Sequence, residues 1–147
     1  ARLFELKNIV GVKDATGDLN RADHQKKAMG KEFIMLTGED GNALEFNKRG
    51  GVGCISVTAN VATKLCSEMQ NASLEKNDDK LQKRADEINK LLSPLNKSLF
   101  IESNPSPVKY AASLLNLSPE DVRLPLVKIT SPTKSAVLHG LKYASLI

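Results

Sequence analysis

The sequence predicts an α/β fold built on a parallel sheet, and three observations carry that reading. Short apolar runs alternate with helical patterns, and the runs start at Ile9, Phe33 and Gly53, spacings of 24 and 20 residues. That interval suits a strand, a crossover helix and two loops. The first run, Ile9 to Val12, is apolar throughout, the pattern of a strand covered on both faces. From residue 74 onward the alternation gives way to helical periodicity alone. Residues 1–73 are therefore expected to form three βα units, and residues 74–147 a helical extension. Parallel strands with helical crossovers fit either a (β/α)8 barrel or a doubly wound sheet. Three strands cannot close a barrel and would leave two open edges.

The elements follow in order. Ala1 to Lys7 reads as the end of a helix that stops at Asn8, so residues upstream are expected. Ile9 to Lys13 is the first strand. Asp18 caps a helix with Leu19, Ala22, the stem of Lys26 and Met29 on its apolar face, and Gly30 ends it. Phe33 to Thr37 is the second strand, followed by the Gly38-Glu39-Asp40-Gly41 loop and a helix from Asn42 to Arg49. Gly50-Gly51 stops that helix, Gly53 to Val57 is the third strand, and a helix is expected from about Val61 to Ala72.

Beyond these, Asp78 and Asp79 open a long helix whose apolar face carries Leu81, Ala85, Ile88, Leu91, Leu92 and Leu95. Pro105 and Pro107 start a shorter one. Ser118-Pro119-Glu120-Asp121 combines a cap, a first-turn proline and two acids, and predicts another helix start. Ser131-Pro132 repeats the device before a final helix.

The chain has 147 residues, enough for one domain with a real core. Aromatic residues are 4% and Trp is absent, which weakens any case for base stacking. The net charge of +4 is spread among acids, and the densest basic stretch, Lys80 to Lys97, also holds Asp86 and Glu87. It reads as the solvated face of a helix, so no nucleic-acid partner is expected. No apolar run reaches the ~18 residues of a membrane span and no secretory signal is visible. The expected setting is cytoplasmic, with Cys54 and Cys66 as free thiols.

Parallel α/β folds place their sites at the carboxyl ends of the strands. Lys13 stands at the first such end. An ammonium buried there needs a partner or a use, or its head must reach water. A partly desolvated amine is what Schiff-base chemistry requires. Ile9, Gly11 and Lys13 share a strand face, and Gly11 is expected to leave space beneath the lysine stem. Gly38 is either a turn glycine or a close approach for a ligand. Asp40 is expected to cap the next helix. Gly50-Gly51-Val52-Gly53 precedes a strand instead of following one, which excludes a dinucleotide fingerprint. His24 and His139 read as surface residues, and neither is placed to activate Ser56 or Thr58.

Gly11-Val12-Lys13-Asp14-Ala15-Thr16-Gly17-Asp18 resembles the Schiff-base lysine motif of the dihydrodipicolinate synthase family. Gly38-Glu39-Asp40, the stretch from Gly50 to Ala62, and Glu102 to Lys109 resemble later segments of that family in order and spacing. Sister aldolases acting on N-acetylneuraminate differ around Ile55 and in the Asn-Pro-x-Pro stretch. The resemblance covers essentially the whole chain but only the second half of the family's length. It implies the C-terminal part of a (β/α)8 barrel, strands six to eight, followed by the helical extension.

The resemblance further implies a class I lyase that condenses pyruvate with aspartate semialdehyde in lysine and diaminopimelate biosynthesis. Lys13 would be the catalytic nucleophile. Ile55 would give a backbone contact to the pyruvate-derived group, and Gly38 would form part of the pocket wall. Asp14 and Thr16 are left as structural. No metal or organic cofactor is implied. The family commonly forms homotetramers. Its paired threonines, its tyrosine, the arginine for the second substrate and the lysine-feedback site have no counterpart here, so the isolated chain is expected to be inactive.

Overall fold

The computed structural model describes residues 2–147. The chain divides into two compact units. One comprises the residues up to Ser56 together with Gln70–Ala85, and the other Val57–Met69 together with Asp86–Ile147.

The first unit is a small parallel sheet with helices on one face. Strand β1 (Gly11–Asp14) pairs in parallel with β2 (Ile34–Thr37), Gly11 opposite Ile34 and Asp14 opposite Thr37. Helix α1 (Leu19–Met29) makes the crossover. The Asp18 side chain accepts from Asn20 N at 2.9 Å, and Gly30, at φ 82°, ends the helix as a residue free of a Cβ can. Alternation along the strands sends Val12, Met35 and Thr37 towards the helices. Ala22, Phe33, Met35 and Phe46 form the core there, with Ile9, Val12, Leu19 and Met29 packed against them. Phe46 lies on α2 (Ala43–Lys48), which a short 3₁₀ turn, Asp40–Asn42, introduces. Gly51 has no side chain because the Phe46 ring occupies the space a Cβ would take.

The third strand is shorter than the sequence predicts. Its ladder runs from Val52 N–H to Met35 O, from Thr37 N–H to Gly53 O and from Ile55 N–H to Thr37 O. Cys54 is bridged to Thr37 in parallel on the side away from Asp14, outside the named strands. At Ser56 the side chain donates to the Asp40 carboxylate, and the backbone then turns into a 3₁₀ segment, Thr58–Asn60.

The sheet is covered on one face only, against the expectation from the apolar run. On the other face Ile34 is 45% exposed and Ile55 51%. This second face carries Gly11, Lys13, Ile34 and Leu36 by register.

The second unit is helical. It holds the first part of α3 (Thr63–Leu74), most of α4 (Asp79–Ser98), α5 (Ser106–Leu114) and α6 (Ser131–Tyr143). Asp78 caps α4 as its position predicts, accepting from Lys80 N and Leu81 N. Ile88, Leu92, Leu95 and Leu99 lie buried on one face of that chain segment, with Val137 and Leu141 of α6. Gly140 lets α6 come close to α4: a Cβ there would stand 2.8 Å from Leu95 Cα. Gly140→Ala is expected to cost about 1–3 kcal/mol by overpacking, read as a lowered urea midpoint. An unchanged midpoint would show that the helices separate freely.

The helix expected at Ser118-Pro119 is not formed. A helix starting there would carry Pro125 in its interior, where the ring clashes and no N–H is available. Leu124 is 86% exposed, so no apolar face rewards the helix. Glu120 instead pairs with Lys128 at 2.8 Å and Lys134 at 3.4 Å. Ser131 is the first residue of α6 and not its cap, which is Thr130, held through N–H and Oγ1 by the Glu102 carboxylate. No helix of the described residues is long and apolar enough to cross a membrane.

Candidate functional site

Three neighbouring segments of the first unit end at the same edge of the sheet because they run parallel. Asp14, Thr37 and Cys54 form a row across them. Lys13 stands one residue before that row, and Gly38 and Ile55 one residue beyond it. All three sequence-assigned positions are thus brought to one end of the sheet.

Lys13 sits on the open face and is exposed, so that of the two alternatives left open for it the head reaches water in this chain. The reason is the missing cover over that face. Gly11 does not make room for the lysine stem. Its bare Cα admits the neighbouring strand, since a Cβ would meet Ile34 O at 2.6 Å and Ile34 Cβ at 2.8 Å. The lysine stem lies over Gly38 instead: a Cβ on Gly38 would fall 2.6 Å from Lys13 Cε. Ile55 has its N–H committed to Thr37 O at 2.8 Å. Only its carbonyl is left for a ligand, so any backbone contact from Ile55 is one that accepts a hydrogen bond.

On the face opposite Lys13 the sheet holds a buried carboxylate. Asp14 accepts from Thr16 Oγ1 at 2.6 Å and Thr16 N at 3.0 Å through Oδ1. Its Oδ2 accepts from Arg21 Nε at 2.8 Å and Gln25 Nε2 at 2.7 Å. Arg21 and Gln25 are one turn apart on α1, so a single helix face clamps the turn that follows the lysine. Burial pushes the Asp14 carboxyl up, but the donors from Thr16, Arg21 and Gln25 together outweigh it and hold the pKa at about 2, below the ordinary 3.8. The sequence left Asp14 and Thr16 as structural, which this network accords with. Its partners Arg21 and Gln25 were not identified, although their four-residue spacing behind the Asp18 cap is a visible signal.

A folded-state pKa below the unfolded one means that deprotonation favours folding. The contribution is complete above about pH 5 and is lost as pH falls through about 4 to 2, roughly 2 kcal/mol in all. Urea unfolding as a function of pH should show that loss. A stability flat across this window would contradict the network.

Asp40 is not the helix cap expected of it. Glu39 caps the 3₁₀ turn, accepting from Gly41 N at 3.2 Å. Asp40 is buried and binds Ser56 and the Cys54 thiol, so it ties the third segment to the loop after β2. His24 and His139 are exposed, in line with their reading as surface residues. No cluster of three or more His, Cys, Asp or Glu among the described residues could hold a metal ion. A cavity of about 570 Å³ in the second unit is lined by Phe100, Glu102, Ser106 and Val127 among others, and by none of the three site residues.

The sequence matches the model of the dihydrodipicolinate synthetase family over residues 1–144. A 4-hydroxy-tetrahydrodipicolinate synthase of Pelagibacter ubique (strain HTCC1062) is 64% identical over 148 residues, which take in all of this chain and 50% of that protein. One from Methylobacterium radiotolerans is 51% identical over 147 residues, all of this chain and 48% of its own. The chain spans about half the length of these curated relatives. Among solved structures, the 4-hydroxy-tetrahydrodipicolinate synthase of Methylacidiphilum fumariolicum SolV aligns with a TM-score of 0.91 at 34% identity, over 98% of this chain and 47% of that one. The chloride-inhibited dihydrodipicolinate synthase of Acinetobacter baumannii, solved in complex with pyruvate, gives 0.91 at 37% identity, over 99% of this chain and 49% of that one.

Proposed function

The chain belongs to the dihydrodipicolinate synthetase family, and from that premise we propose that it supplies the Schiff-base half of a 4-hydroxy-tetrahydrodipicolinate synthase. The observation that carries the reading is Lys13 at the carboxyl end of β1, with its stem over Gly38 and the Ile55 carbonyl at the same sheet end. Two relatives of that name at 64% and 51% identity support the activity. The pyruvate in the Acinetobacter structure supports the first substrate. In this reading β1, β2 and the Val52–Ile55 segment are strands six to eight of a (β/α)8 barrel. Residues 1–73 are its barrel portion and residues 74–147 the helical extension.

The neutral Lys13 amine attacks the ketone carbon of pyruvate, and the carbinolamine loses water to give an iminium. That cation takes up the electron pair of a methyl C–H bond as the proton leaves, giving an enamine. The enamine carbon attacks the aldehyde carbon of aspartate semialdehyde, and the aldehyde oxygen gains a proton. The amino group of that substrate then closes the ring on the iminium carbon, and the Lys13 amine departs. The Ile55 carbonyl accepts from the pyruvate-derived group, and Gly38 forms part of the pocket wall. The proton relay falls to residues that no position of this chain matches.

The open sheet face and the exposed Lys13 support a companion expectation, negligible turnover by the isolated chain. The test exchanges the matched half of the Pelagibacter relative for this chain. The exchanged protein should condense pyruvate with aspartate semialdehyde, and the 147-residue chain alone should not. Preference for N-acetylneuraminate-type substrates in the exchanged protein would move the reading to a sister aldolase. No activity in a folded, exchanged protein would overturn it.

A further inference from the structure

We propose that Gly38 is a positioning residue for Lys13: its bare backbone is the seat on which the lysine stem lies, and so it aims the amine. The proposal rests on the reading of Lys13 as nucleophile and assigns Gly38 a role beyond that of a pocket wall.

Two alternatives for this glycine are separable on geometry. A turn glycine is needed where φ is positive, and the positive-φ glycines are Gly17, Gly30 and Gly50, not Gly38. A side chain is therefore allowed by the backbone here, and space decides. A Cβ would fall 2.6 Å from Lys13 Cε and 2.8 Å from Ala15 Cβ, both well inside van der Waals contact. Gly38 cannot slide away. Its N–H donates to Asp14 O at 2.8 Å, and Thr37 before it is tied to the third segment twice, its N–H donating to Gly53 O and its carbonyl accepting from Ile55 N–H. Any added atom must displace the neighbours, and the lysine stem is the softer of the two.

The consequence is chemical. A lysine side chain has four rotatable bonds and can point its amine in many directions. Attack on a bound ketone needs the amine within near-contact distance and in line. The flat peptide of Gly38 removes the directions that cross it and lets the stem lie close against the sheet end. A methyl group there would lift Cε and swing the amine off its line while leaving the amine itself unchanged. The loss would then fall on the rate of imine formation at saturating pyruvate, and not on the pyruvate concentration needed for half saturation.

The experiment measures imine formation by borohydride quench over a range of pyruvate concentrations, in the exchanged protein described above. Gly38→Ala should form the imine on the order of ten- to a hundred-fold more slowly at saturation. Part of any damage would come from the Ala15 contact, so the double variant Ala15→Gly/Gly38→Ala separates the two causes. It should recover the parent's melting temperature and stay slow, and it carries the comparison if the single variant does not fold. The proposal is overturned if Gly38→Ala keeps the parent's saturating rate, if only the half-saturating pyruvate concentration rises, or if the double variant recovers rate and stability together. A parent that forms no imine overturns the Lys13 reading itself, so the two failures are distinguishable.

Discussion

Lys13→Met in the exchanged protein is expected to abolish imine formation and to lower kcat/KM on the order of 10³-fold or more. Methionine keeps an unbranched stem that can lie over Gly38, and it removes only the nucleophile and its charge. A melting temperature close to the parent's is the control that the variant has folded. Lys13→Arg sharpens the result. A guanidinium keeps the positive charge but stays protonated, so it offers no free electron pair to a ketone. It should be as inactive as the methionine variant if the amine is the nucleophile. Substantial turnover with arginine would mean that the charge alone is used, and would remove the covalent mechanism.

Asp14→Ala should be the most damaging change to the first unit, at about 3 kcal/mol near neutral pH. It leaves the Gln25 and Thr16 donors without the acceptor that the fold presents to them and removes the partner of Arg21. Its signature is in the pH profile. The parent should weaken as pH falls from about 4 to 2, and the variant should show no such step, because the group whose folded pKa is about 2 is gone. Urea titrations of parent and variant at several pH values read both effects. A variant that keeps the acid step would assign it to another carboxylate.

Those two positions show what the chain states locally and what it does not. The spacing of strand starts, the caps at Asp18 and Asp78 and the Ser131-Pro132 start lie within a few residues of the elements they govern. Local pattern therefore sufficed for α1, α4 and α6. Lys13, Gly38 and Ile55 were assigned through family resemblance, and parallel pairing brings them to one sheet end. The environment of Lys13 was not legible. An apolar run reads the same whether one face or two are covered, and only the packed structure shows that Ile34 and Lys13 stay exposed. Gly11 was read as room for the lysine stem, and Gly38 as either a turn glycine or a close approach for a ligand. Register separates them, giving Gly11 to Ile34 and Gly38 to the lysine stem. Ser118-Pro119-Glu120-Asp121 carries every local mark of a helix start, yet Pro125 and the pairing of Glu120 with Lys128 outweigh it. The Asp14 clamp spans up to 11 residues and joins a strand end to a helix face, a distance over which propensity says nothing.

The most direct test of the central claim is covalent. The exchanged protein is incubated with pyruvate, reduced with borohydride and digested, and the peptide carrying Gly11 to Asp18 is read by mass spectrometry. The mechanism predicts one reduced pyruvate adduct, located on Lys13 and absent without pyruvate. An adduct on a different lysine, or none in a protein that still turns over, would contradict it.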